Sequence, residues 1–284
     1  MTSSTGSVLT EHWTSVDGVK VFYRASPGPP GVPTVMHVHG FGLSGRYLLP
    51  TAERLAGDFR TLVPDLPGFG RSGRPREPLD VRQLAEAAAA FLDDREIERV
   101  TLLGNSMGCA VICEFAHLYP SRLERAVLVG PAGGLHNQPM RRAVQQLAQD
   151  GIREPLGLIR VAVPDYVRFG VPSTVRMFRA LTRYPALERL MELHIPTLVV
   201  LGSGDPLMPE PSRVREIAGQ FETHVLVVVI DGAAHAVNFS HPGELANVTR
   251  LFMADLPIRD DPDSPGHARA YEIHRGANLP PLRT

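Results

Sequence analysis

An α/β protein, with helices on both faces of a mostly parallel sheet, is the fold predicted by this 284-residue chain. Three observations predict it. Short valine-rich runs recur along the chain and alternate with helical patterns. A hairpin signal opens the series. Near the middle, a glycine-flanked serine separates a strand-like run from a helix-like one. The length suits one large core, and 43% apolar with 21% charged residues excludes a disordered or collagen-like chain.

The elements follow in order. His12 to Val16 and Val19 to Ala25 alternate in polarity around Asp17-Gly18, a two-residue turn that favours positive φ. Thr34 to His39, Arg60 to Pro64, Val100 to Leu103, Ala126 to Val129, Thr197 to Leu201 and Val225 to Ile230 are short and β-branched, as strands buried on both faces must be. Val81, Leu84, Ala85, Ala88, Phe91 and Leu92 share one helical face behind Asp80, an N-cap. Met107 to Leu118 reads as a second helix, stopped at Pro120. From Gly134 to His194 there is no strand signal, only amphipathic stretches rich in Arg, Met and Leu. This reads either as an inserted cap or as a long helical excursion on one face. The division expected is a core of residues 1–133 and 195–256, a helical cap of 134–194 and an aperiodic extension of 257–284.

Composition narrows the function classes. A formal net charge of -1 gives no electrostatic case for nucleic acid or an anionic membrane, and no apolar run is long enough for membrane insertion. The first residues lack a basic region and an apolar run, so no signal peptide is expected. Two cysteines, Cys109 and Cys113, make no disulfide framework, which fits a reducing, cytoplasmic setting. The oligomeric state is not encoded in any pattern found. Arginines from Arg141 to Arg189 read as solvated surface groups, the alternative being contact with an acidic substrate.

The chemistry starts at Gly104-Asn105-Ser106-Met107-Gly108, a G-x-S-x-G between strand and helix. Glycines allow the sharp turn that exposes the Ser106 hydroxyl, and the Met107 N–H at the helix start suits an oxyanion. His39-Gly40-Phe41-Gly42, at an earlier strand exit, offers a second donor in the Phe41 N–H. A serine needs a base, and the base needs an acid to hold its tautomer. Of 11 histidines, His235 lies in the loop after the last valine-rich strand, at the sheet edge where strand C-termini converge. Asp205, in Gly202-Ser203-Gly204-Asp205-Pro206, follows the preceding strand. The loop after Ala126 to Val129, Gly130-Pro131-Ala132-Gly133-Gly134, carries no carboxylate, and Asp231 sits too near His235 in sequence and belongs to a turn. The order Ser, Asp, His is the one expected when the nucleophile sits on such an elbow.

Two patterns are set aside. Gly68-Phe69-Gly70-Arg71-Ser72-Gly73 matches a dinucleotide fingerprint, but Pro75 and Pro78 follow and no helix opens there. His37 and His39 alternate on a strand without the partner spacing of a metal site. No cofactor and no metal are expected.

These stretches, with Asp65-Leu66-Pro67-Gly68-Phe69-Gly70-Arg71-Ser72, resemble the α/β-hydrolase superfamily of the serine-nucleophile type over residues 10 to 256. The resemblance implies an eight-stranded sheet, a cap after the sixth strand and ester hydrolysis without a cofactor. Gly104-Asn105-Ser106-Met107-Gly108 and Gly130-Pro131-Ala132-Gly133-Gly134 also resemble the meta-cleavage-product hydrolases, which cleave carbon–carbon bonds. In that group the asparagine lines the site and a large aromatic follows the histidine; here Ala236 stands instead, and Cys109 replaces a glycine. The expected activity is therefore hydrolysis of a small or medium carboxylic ester, thioester or lactone by Ser106, Asp205 and His235. Phe41 and Met107 would form the oxyanion hole, and Gly40, Gly42, Asn105 and Ala236 would line a pocket for a small-molecule substrate. Carbon–carbon hydrolysis and a non-catalytic binding protein on the same fold are the alternatives.

Overall fold

A computed structural model describes residues 8–131, 154–208, 219, 224–258 and 270–276. The hairpin forms as expected: β1 (Thr10–Val16) and β2 (Val19–Ser26) pair antiparallel, with Asp17 at φ 49° and Gly18 at φ 77° in the turn. Then follow β3 (Thr34–Val38), α1 (Leu49–Leu55), β4 (Arg60–Pro64), α2 (Val81–Asp94), β5 (Val100–Asn105), α3 (Met107–Leu118) and β6 (Leu123–Val129). After the undescribed 132–153 come α4 (Leu156–Phe169), α5 (Val171–Arg183), α6 (Ala186–Met191), β7 (Thr197–Gly202), β8 (Val225–Ile230), α7 (Val237–Ser240), α8 (Pro242–Met253) and β9 (Ala270–Arg275).

One sheet runs β1-β2-β4-β3-β5-β6-β7-β8-β9, parallel from β4 through β8. The parallel strands bury both faces, which is why their sequences run apolar without alternation. Along β7, Leu198 and Val200 face a layer made with Leu55 of α1 and Leu245 and Phe252 of α8. Val199 and Leu201 face the opposite layer, made with Leu84 and Phe91 of α2 and Ile112 and Phe115 of α3. Asp80 caps α2 in a reciprocal box with Gln83, satisfying backbone donors that the first turn leaves open.

Among the described residues the sheet has nine strands rather than eight. Part of the tail read as aperiodic, Ala270–Arg275, pairs antiparallel with β8 and covers its open edge. As an outermost strand it has no deeply buried face to stamp an alternating pattern on its six residues. Residues 259–269 and 277–284 of that tail, including Asp260 to Gly266, lie outside the described residues, as do residues 134–153 of the expected cap.

Candidate functional site

All the elements that position the site end at one rim. Because β5 to β8 run parallel, the loops after β5, β7 and β8 emerge on the same side of the sheet. Ser106 follows β5 directly and starts α3, with φ 57° and ψ -116°. That positive φ is a strained conformation for a residue with a Cβ. Its N–H is anchored to the Val129 carbonyl at 3.0 Å, and the Cys109 N–H returns to the Ser106 carbonyl at 3.0 Å. A side chain on Gly108 would run into the Val38 and His39 carbonyls, so only glycine lets α3 pass so close to the end of β3. Ser106 itself stays half-buried, and Met107 provides the first helical N–H beside it.

Asp205 and His235 meet. The Nδ1–H of His235 donates to Asp205 Oδ2 at 2.7 Å, with both side chains buried. The loops that carry them are stitched together: Gly204 N–H donates to the Ala233 carbonyl at 2.9 Å, and Ser203 Oγ donates to Asp231 Oδ1 at 2.7 Å. Asp231 thus serves the turn. Leu207 N–H donates to Asp205 Oδ1, so both carboxylate oxygens are engaged. Gly130, at φ 53°, passes directly against this pair; a Cβ there would stand 3.0 Å from His235 Nδ1 and 3.4 Å from Asp205 Oδ2. The first residue after β6 is thus a glycine packed against this pair. Ala132, Gly133 and Gly134 of the same loop lie outside the described residues.

The loop after β3 is held from below. His39 is fully buried; its Nδ1–H donates to the Gly40 carbonyl at 3.0 Å and its Nε2 accepts the Leu66 N–H at 3.0 Å. Burial holds its pKa below the usual range, so the neutral ring with both nitrogens used is the stable form. Asp65 accepts from the N–H groups of Gly45 and Arg71 at 2.8 Å each, and burial pushes its carboxyl above the usual range. The glycine-rich run around Gly68 therefore forms a cradle of turns under this loop, with Ser72 Oγ donating to the Asp65 carbonyl. Gly42, at φ 70°, sits beneath the Tyr166 ring of α4, and Tyr166 Oη donates to the Phe41 carbonyl at 3.1 Å.

The Asn105 amide is committed to buried partners. It is 2% exposed, and its Nδ2 donates to the carbonyls of Val129 and His235 at 3.1 and 3.0 Å. Its Oδ1 accepts from Tyr47 Oη at 2.8 Å, and Tyr47 in turn accepts the Gly40 N–H at 2.8 Å. One fully buried phenol and one buried amide thereby join the Gly40 loop, the residue before Ser106 and the backbone of His235. Ala236 is also turned inward, against Tyr47, Leu48, Leu158 and Val161, while its N–H donates to Glu154 Oε1 at 2.5 Å. Gly40 lies close to Ser106, since a Cβ on it would stand 3.5 Å from the Ser106 Cβ.

Sequence reading missed Tyr47 and Glu154. Neither carries a motif, and each is tied to its partner across a long span of chain: 58 residues from Tyr47 to Asn105 and 82 from Glu154 to Ala236. Cys109 and Cys113 are both buried and reduced, with burial pushing the Cys113 thiol up to about 12. Among the described residues no group of three or more His, Cys, Asp or Glu side chains could hold a metal ion. No described helix is long and apolar enough to cross a membrane.

The profile of the alpha/beta hydrolase family matches residues 35–248. A poly(3-hydroxyalkanoate) depolymerase of Ectopseudomonas oleovorans is 27% identical over 237 residues, covering 76% of this chain and 83% of its own. A pimeloyl-[acyl-carrier protein] methyl ester esterase of Aeromonas salmonicida is 25% identical over 248 residues, covering 78% and 95%. Among solved structures, a bacterial membrane phospholipase A superposes with a TM-score of 0.74 at 23% identity, over 87% of this chain and 86% of that one.

Proposed function

The chain belongs to the alpha/beta hydrolase family and is a hydrolase, and we propose that it cleaves small or medium carboxylic esters, thioesters or lactones through an acyl-enzyme on Ser106. The observation that carries this reading is the 2.7 Å bond from His235 Nδ1 to Asp205 Oδ2, at the rim where Ser106 stands on a strained turn. With Nδ1–H committed to the carboxylate, Nε2 is the ring nitrogen that acts as base. In this reading His235 takes the Ser106 proton as the hydroxyl attacks the substrate carbonyl. Asp205 stabilises the resulting imidazolium, and the leaving group departs with the proton that His235 returns. Water then attacks the acyl-enzyme with His235 again as base.

The negative charge on the tetrahedral oxygen falls to the N–H groups of Met107 and Phe41, and losing one such donor costs about 2.7–4 kcal/mol of barrier. The Tyr166 bond to the Phe41 carbonyl supports the second donor's orientation. The helices α4 to α6 serve in this reading as a cap that shapes the pocket. Carbon–carbon cleavage gains nothing from the structure, because the Asn105 amide is committed to buried partners rather than to a pocket. The test is a panel of p-nitrophenyl esters, lactones and a dienone acid, run on wild type and Ser106→Ala. Turnover of esters or lactones lost on substitution supports the reading; turnover retained by Ser106→Ala, or confined to the dienone acid, overturns it.

A further inference from the structure

Helix α4 is apolar on two faces, and only one of them is covered. Leu158, Val161 and Phe169 point into the protein. On the opposite side Leu156 is 81% exposed, Val163 54% and Val167 77%, with Ile159 beside them. At the start of α5, Val171, 75% exposed, and Val175 extend the same kind of surface. A helix whose two sides are both apolar belongs in a buried setting, and an exposed apolar stripe of this length marks a contact surface.

Charge identifies what the stripe fits. From Leu156 to Arg183 the two helices carry five arginines and one acid, Asp165. Asp165 is already engaged, accepting from both the N–H and the Oγ of Ser44. Arg176 pairs with Glu77, but Arg160, Arg168, Arg179 and Arg183 form no ion pair among the described residues. Arg176, Arg179 and Arg183 line, with Pro172, Val175 and Ala180, an open depression of about 640 Å³ next to the stripe. The near-zero charge of the whole chain therefore conceals a strongly cationic patch. Aliphatic side chains along one helical face, flanked by uncompensated arginines, are the construction of a helix that lies in a charged lipid interface.

We infer that α4 and the first turns of α5 dock this protein on the surface of an anionic lipid bilayer, with Leu156, Val163, Val167 and Val171 entering the headgroup boundary and Arg160, Arg168, Arg179 and Arg183 meeting lipid phosphates. Nothing in this mode spans the membrane. The docking face lies opposite the face of α4 that packs on the protein, so docking leaves those packing contacts in place. The inference does not depend on Ser106 being a nucleophile, and Ser106→Ala protein must dock as wild type does.

The experiment is co-sedimentation with vesicles of phosphatidylcholine alone and of phosphatidylcholine with 30–40% phosphatidylglycerol (about the anionic fraction needed for a strong surface potential). Light scattering of the free protein is measured in parallel. The expected result is binding to the anionic vesicles only, weakened at least tenfold by 0.5 M salt (about a threefold shorter screening length than at 0.05 M). Val163→Asn with Val167→Asn, and separately Arg160→Glu with Arg168→Glu, each lower the partition at least tenfold (about 1.4 kcal/mol) while circular dichroism and thermal unfolding stay unchanged. Absence of vesicle binding, equal binding to neutral vesicles, or a dimer that the valine pair dissociates would each overturn the inference, the last by assigning the stripe to a second copy of the chain.

Discussion

Removing one oxygen atom tests how the site is held together. In Tyr47→Phe the ring still fills its fully buried place, but the Gly40 N–H and the Asn105 Oδ1 each lose a partner at 2.8 Å. A buried polar group left without a partner costs about 1–3 kcal/mol, so the two together place the loss of stability at about 2–6 kcal/mol. For a protein of this size that is a fall in Tm of about 3–10 °C. Asn105 also holds the backbone of His235 and Gly40 leads into the Phe41 loop, so the substitution loosens two parts of the site at once. The kcat of ester hydrolysis should drop roughly 10- to 100-fold with KM little changed, as expected when reacting groups are misplaced by up to an ångström. Thermal unfolding and steady-state kinetics on purified wild type, Tyr47→Phe and the control Tyr23→Phe provide the readouts. The Tyr23 ring is buried, but its Oη accepts from Arg95, whose side chain is 31% exposed and can turn to water, so its loss should cost little. A Tyr47→Phe protein within about 0.5 kcal/mol of wild type and with unchanged kcat would refute the reasoning, since a few tenths is what an ordinary surface change costs.

Other consequences are equally open to measurement. Gly130→Ala places a Cβ 3.0 Å from His235 Nδ1 on a backbone at φ 53°, so it should cost about 1–2 kcal/mol of stability and lower kcat more than tenfold; a variant with native kcat contradicts the close packing. Asp205→Asn keeps the shape but removes the charge that orients His235, and ester turnover should fall by roughly three to four orders of magnitude. Chemical denaturation will separate that loss from unfolding. His37 lies inside β3 with neither ring nitrogen bonded among the described residues, and burial pushes its pKa from 6.5 down to about 3. The unfolded chain therefore takes up this proton between pH 6.5 and about 3 while the folded chain does not, so stability is lost as pH falls through that window, by about 1.4 kcal/mol per pH unit. His37→Leu should flatten that acid limb and be no less stable than wild type at pH 5, as read from urea midpoints at pH 5 and 7.5.

What the sequence made legible was whatever had to be local. Ser106 stands out because strand, turn and helix are contiguous, and two glycines must flank a turn with positive φ. The meeting of Asp205 with His235 was legible in their places after consecutive parallel strands, since the sheet order brings these places side by side. Valine-rich strands buried on both faces leave an unmistakable apolar run, as β8 does. Contacts made across the chain leave no such trace. Tyr47 reads as one more core aromatic until its hydroxyl is seen bridging Gly40 and Asn105. Asn105 was assigned to a pocket by resemblance, whereas its amide faces backbone carbonyls. Strand β9 escaped notice because its partner strand lies 40 residues earlier and an outer strand needs no strict alternation.

The most direct test is labelling with a fluorophosphonate, read by intact mass and by peptide mapping. The phosphonyl group transfers only to a serine whose hydroxyl is deprotonated by a neighbouring base at neutral pH. The expected result is one adduct per chain, located on Ser106, absent from Ser106→Ala and strongly slowed in His235→Ala. A folded wild-type protein that takes up no label, or an adduct that persists in Ser106→Ala, would contradict the convergence of these side chains into a working nucleophile.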